Sequence, residues 1–137
     1  MIQRATPAVS FKEQKLKVGV FGSRDWDKYH DIVRILTLFI QESHEIGHDN
    51  IIFVHSGNKG AENMITEYIG KTYKFLRQKN FKIKEELQRG ENQVMKDITT
   101  IESGLDFGLV FSTGCKRTIA CQKILKEYNI PFRVEQS

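Results

Sequence analysis

Apolar runs alternate with amphipathic stretches along this chain, and the spacing of apolar positions switches between the periods that mark strands and helices. "LKVGVF" (Leu16–Phe21) and "IIFVHS" (Ile51–Ser56) are short, continuous and rich in β-branched residues, as buried strands are. Between them Ile32, Ile35, Leu36 and Phe39 recur at helical spacing from Lys28 to about Glu45, where Gly47, Asp49 and Asn50 break the pattern. A second helix begins at Ala61, with Met64, Tyr68, Phe75 and Ile65, Ile69, Leu76 on one broad side. "FKIKEEL" (Phe81–Leu87) alternates apolar and charged residues, the signature of a half-exposed or edge strand. A short helix with Val94, Ile98 and Ile101 on one face should end at Gly104. "LDFGLVF" (Leu105–Phe111) reads as a fourth strand, and Lys116–Asn129 as a helix burying Cys121, Ile124, Leu125 and Tyr128. Beyond Pro131, "FRV" (Phe132–Val134) reads as a last short strand.

Strands that alternate with helices predict an α/β fold: one Rossmann-like domain over residues 15–137, mainly a parallel sheet of about five strands with helices on both faces. Residues 1–14 lack periodic hydrophobicity and read as a loose tail. Right-handed crossovers would gather every strand-to-helix turn on the carboxyl edge of the sheet, where open α/β sheets bind ligands. Three of those turns carry glycine and polar residues: Gly22-Ser23-Arg24, Gly57-Asn58-Lys59-Gly60, and the stretch of Ser112, Thr113, Gly114, Cys115, Lys116, Arg117 and Thr118. Glycine lets a ligand approach the backbone, helix N-termini present N–H groups, and Arg24, Lys59, Lys116 and Arg117 add positive charge. One such loop is ordinary turn chemistry; three on one edge predict a cradle for phosphate.

Composition narrows the field. The chain has 137 residues, 39% hydrophobic and 28% charged, which describes a soluble globular domain with no apolar run long enough to span a bilayer. Two cysteines, Cys115 and Cys121, are too few for a disulfide framework or a four-ligand zinc site, and a reducing cytoplasm is the plain reading. His30, His44 and His48 show no ligand spacing, so no metal is expected; His55 closes a buried strand and should hydrogen-bond the neighbouring loop. No Walker A loop and no G-x-G-x-x-G turn is present, so neither an ATPase nor a dinucleotide-dependent dehydrogenase is supported and no cofactor is expected. Net charge is +4, and the stretch Lys71–Arg89 alone holds seven basic residues against Glu85 and Glu86. Nucleic acid is the partner such a patch would attract. A solvated helix face is the favoured account of a lysine run without stacked aromatics.

These motifs resemble the SLOG superfamily of Rossmann-like domains, which includes the lonely-guy phosphoribohydrolases and the DNA-processing protein DprA, and are most similar to its small YspA-like branch. Gly22, Ser23, Arg24 and Trp26 match a strand ending in GSR followed by Trp. "HSGNKGAEN" matches the H-G-G-x-x-G-A-D segment at His55, Gly57, Gly60 and Ala61, with Ser56 and Glu62 as departures. "ENQVM" keeps Asn92 and Met95 of R-N-x-x-M but has Glu91 for the arginine, and "LDFGLVFSTGCKRT" matches at Asp106, Phe111, Gly114 and Thr118. The resemblance implies a nucleotide or nucleotide-derived ligand on the carboxyl edge. Phosphate or ribose would be held by Arg24 and by the Gly57–Gly60 and Gly114–Thr118 loops, with Asn92 among the contacts. It also implies that copies of the chain often pair, and the broad apolar faces of the first two helices would permit a homo-oligomer.

The arginine–glutamate pair of the lonely-guy hydrolases is not visible: the third position beyond Thr118 is Cys121, and the R-N arginine is Glu91. Glu62 and Glu91 are the only candidate catalytic acids, and each has a plainer account as an acid in the first turn of a helix. Trp26 has two accounts of equal weight, stacking a base or capping the core. A salt bridge to Asp25 or Asp27 is the bland alternative for Arg24. The favoured expectation is a non-catalytic nucleotide-binding module, a sensor or sequestering protein. A nucleotide or N-glycosidic hydrolase using Glu62 or Glu91 is the alternative, and nucleic-acid binding ranks third.

Overall fold

The computed structural model describes residues 15–136, so the predicted tail at 1–14 lies outside the described residues. The chain forms β1 (Leu16–Gly22), α1 (Tyr29–Glu45), β2 (Asn50–His55), α2 (Ala61–Gln78), β3 (Lys82–Leu87), α3 (Gln93–Glu102), β4 (Phe107–Ser112), α4 (Lys116–Glu127) and β5 (Phe132–Gln136). All five strands are parallel, in the order β3-β2-β1-β4-β5. This is the α/β Rossmann-like domain that the alternation predicts. The order reverses direction between β1 and β4, whose register runs from Val18 opposite Phe107 to Gly22 opposite Phe111.

Period-two alternation in the strands builds two separate apolar layers. Val18, Val20, Ile51, Phe53, Leu109 and Phe111 point to one face, where α1 and α2 cover them with Ile32, Leu36, Phe39, Ile65 and Tyr68. Phe21, Ile52, Val54 and Val110 point to the other, under α3 and α4 with Ile101, Cys121 and Leu125. The apolar faces of the first two helices are thus spent largely on the sheet. Edge strand β3 buries Ile83 and leaves Lys82, Lys84 and Glu86 outside, as the alternation of "FKIKEEL" predicts, whereas Leu87, in phase with Ile83, is exposed at the end of the strand.

Three residues assigned to buried faces lie outside. Phe75 is 59% and Val94 65% exposed. Phe75 stands near the end of α2, on the open groove between α1 and α2. Tyr128 is the C-terminal cap of α4, and its hydroxyl instead donates to Glu102 Oε2 at 2.8 Å. Among the described residues, no helix is long and apolar enough to cross a membrane.

Candidate functional site

The three polar turns meet where the fold says they must, at the carboxyl ends of β1, β2 and β4. Their contact is backbone-tight. A Cβ on Gly60 would lie 2.3 Å from the Ser23 carbonyl oxygen, and Gly60 has φ +85, so only glycine fits there. A Cβ on Gly22 would lie 2.5 Å from that of Ala61. The β1 turn and the start of α2 are therefore packed without side chains between them. On the other side, the Ser23 amide donates to the Phe111 carbonyl at 2.9 Å and Ser23 Oγ accepts the Thr113 amide at 2.9 Å. Thr113 Oγ1 donates to Asp25 at 2.7 Å, which stitches the β1 turn to the β4 turn.

Beneath these turns lies a network built around Arg117. Its Nε and Nη2 donate to the two oxygens of Asp97 at 3.0 and 2.9 Å, Nη2 also reaches Glu62 at 2.6 Å, and Nη1 donates to the Gly22 carbonyl at 2.7 Å. Glu62 has no exposed surface. One of its oxygens accepts the Ser56 amide and hydroxyl at 2.9 and 2.7 Å, and the other accepts the Gly22 amide at 3.2 Å besides Arg117. Burial works against a charged guanidinium, but the hydrogen bonds of Asp97 and the charge of Glu62 outweigh it and raise Arg117 above its ordinary value. The same surroundings act oppositely on Cys121: burial and the nearby Asp97 push its thiol well up. Gln93 closes the network, donating to Asp97 at 2.8 Å and to Ser56 Oγ at 3.1 Å while accepting from Asn58 Nδ2.

Arg117 is expected among the ligand contacts, and Glu62 is a candidate acid whose plainer account is the first turn of a helix; the structure commits both to this buried cluster. Every lone pair that Glu62 could use on a proton is already engaged. Ser112 and Thr118 are also internal: their hydroxyls meet at 2.7 Å, Ser112 Oγ accepts the Gly114 amide, and Thr118 donates to the Cys115 carbonyl. Trp26 is 2% exposed, packs edge-on against Phe111 at 5.4 Å between centroids, and donates its indole N–H to the Lys28 carbonyl, so the core has claimed the ring. Asn92 caps α3 by accepting the Met95 amide at 3.0 Å. Glu91 is exposed in the turn before α3. His55, fully buried, accepts the Gly57 amide on Nδ1 at 3.0 Å, as expected for a histidine beside this loop; Nε2 therefore carries the proton and donates to Glu85 at 2.7 Å.

What stays open to solvent in these three turns is Arg24, Asp25, Gly57, Lys59, Thr113, Gly114 and Lys116. Arg24 makes no hydrogen bond or ion pair among the described residues, since the Asp25 carboxylate serves Thr113 instead. It stands at a groove of about 320 Å³ between α3 and α4, lined by Val94, Ala120, Ile124 and the Asp97–Arg117 pair. Compared with known protein families, with curated proteins and with solved structures, the chain matches none. No group of three or more metal-ligating side chains occurs among the described residues.

Cys115 caps α4 at the same edge. Burial opposes its ionisation, but the Ser23 hydroxyl at 3.1 Å, the Thr118 hydroxyl at 3.4 Å and amides of the first helical turn outweigh that and lower the thiol below its ordinary value. Sequence inspection missed Asp97 and Gln93. Their signal was an acid set among Val94, Ile98 and Ile101, four residues after an amide on the same helix face.

Proposed function

We propose that the carboxyl edge between β1 and β4 binds a nucleotide or nucleotide-derived ligand and holds it without cleaving it. The observation that carries this reading is Arg24, an uncommitted guanidinium at the mouth of a groove with an apolar wall at the switch point of the sheet. A guanidinium there meets a phosphate bidentately, and Val94, Ala120 and Ile124 offer a base or sugar an apolar wall. Lys59 and Lys116 supply further charge from the two flanking turns. The resemblance of the GSR, HSGNKGA and FSTGCKRT segments to the SLOG superfamily supports the same ligand class. Binding without chemistry follows from the fate of the acids: Glu62 is enclosed by four hydrogen bonds, and Glu91 lies exposed with no cation or base paired to it among the described residues.

Calorimetric titration with AMP, ADP-ribose and cyclic dinucleotides tests this. At least one should bind below millimolar, and Arg24→Ala should weaken it about tenfold, the loss expected for one charge-assisted hydrogen bond. Absence of sub-millimolar binding across the panel overturns the reading. Release of free base or phosphate over hours, abolished by Glu91→Gln, would replace it with hydrolysis.

A further inference from the structure

The opposite end of the molecule carries a second polar groove. It runs between the last turns of α2 and the first residues of edge strand β3, encloses about 510 Å³, and is lined by Tyr73, Arg77, Asn80, Lys82 and Lys84 with Phe81 and Ile83 at its base. Its charge is unbalanced. Glu85, one of the two acids in the Lys71–Arg89 stretch, turns inward to His55 and Thr66. Glu67 is taken by Lys71. Among the described residues, Lys74, Lys82 and Lys84 form no ion pair.

One exposed aromatic ring stands among these cations. Tyr73 is 47% exposed, and Arg77 both donates to its hydroxyl at 3.0 Å and lies over its ring at 6.0 Å. Phe75, with Lys79 over its ring at 5.8 Å, belongs to the separate groove between α1 and α2. An exposed ring set among unpaired cations suits a chain of alternating phosphates and flat bases. An acidic peptide would use the cations but has no need of a ring face, and a strand adding to β3 would meet the outward lysines that discourage edge pairing.

We propose that this groove binds single-stranded nucleic acid, with phosphates on Arg77, Lys82 and Lys84 and a base stacked on Tyr73. The surface lies at the amino end of the sheet, away from Arg24, so it stands independently of the nucleotide reading. The test is fluorescence anisotropy with a labelled oligothymidylate of about twelve nucleotides, which leaves room for several stacked bases. Three phosphate contacts predict a slope of log affinity against log salt of about −2, or roughly a twentyfold loss between 50 and 200 mM. Lys82→Glu with Lys84→Glu should abolish most binding and flatten the slope. Tyr73→Ala should weaken binding about tenfold with the slope unchanged, while Tyr73→Phe and Arg24→Ala should retain it. All four side chains are exposed, so thermal melts of the variants should match the parent. Absence of binding at the lower salt overturns the proposal. So does binding indifferent to Tyr73→Ala and displaced equally well by polyglutamate, which would mark the groove as a site for an acidic protein.

Discussion

Arg117 shows how far a side chain's role depends on where its helix starts. Placed one residue into α4, it points down into the switch point instead of out to solvent, and it meets two carboxylates and a carbonyl. A surface arginine contacting phosphate would be removable at a cost within about 0.5 kcal/mol of stability. The buried arrangement predicts otherwise: Arg117→Met leaves Glu62 and Asp97 facing each other without a cation and should cost about 3–5 kcal/mol. Glu62→Gln should cost less, about 1–3 kcal/mol, because the cluster keeps one balanced pair and loses hydrogen-bond acceptors on one side. Urea unfolding followed by tryptophan fluorescence reads both, and Trp26 against Phe111 provides the signal. Equal and small effects would show that the network adds nothing to stability.

Among elements, the tight seam is the crossing of the β1 turn over the start of α2. Gly60→Ala must both adopt a left-handed backbone and displace the Ser23 carbonyl, so a loss of about 1–3 kcal/mol is expected, together with weaker nucleotide binding because the turn bearing Arg24 moves. Chemical unfolding alongside calorimetry checks it; unchanged affinity in a folded Gly60→Ala protein would detach Arg24 from the site. The elements themselves were legible in the sequence, since β-branched runs and helical spacing are local signals that the sheet does not override. Even the edge position of β3 was visible in its alternation. The polar turns were legible as a group but not member by member. Whether Thr118 faces a ligand or Ser112 depends on how the β4 turn closes, and whether Ser23 faces a ligand or Thr113 depends on contact between turns 90 residues apart in sequence. Spacing carries no trace of that, and Asp97 escaped notice because its partner lies on another helix.

At the scale of the whole molecule, stability should depend on acidity through Glu85. Burial raises its pKa, but hydrogen bonds from His55 and Thr66 outweigh burial and hold it below the ordinary value in the folded protein. A depressed carboxyl contributes stability that is fully present above its unfolded value, near pH 4.3, and that disappears as pH falls through the folded value. The urea midpoint should therefore drop as pH falls below the unfolded value, and Glu85→Gln should flatten that part of the profile. A profile unchanged by the substitution would assign acid sensitivity to the net positive charge instead.

The central seam also orders events in time. Glu62 and Asp97 are 55 and 20 residues upstream of the guanidinium that neutralises them, and β1 finds its second neighbour only when β4 has been made. A nascent chain that has emerged only as far as α3 thus carries two acids destined for the interior with no cation to accompany them. It also exposes one flank of its first strand. Arrival of β4 removes the second defect and α4 the first, so the last quarter of the chain converts a partly assembled sheet into a molecule with a finished ligand edge.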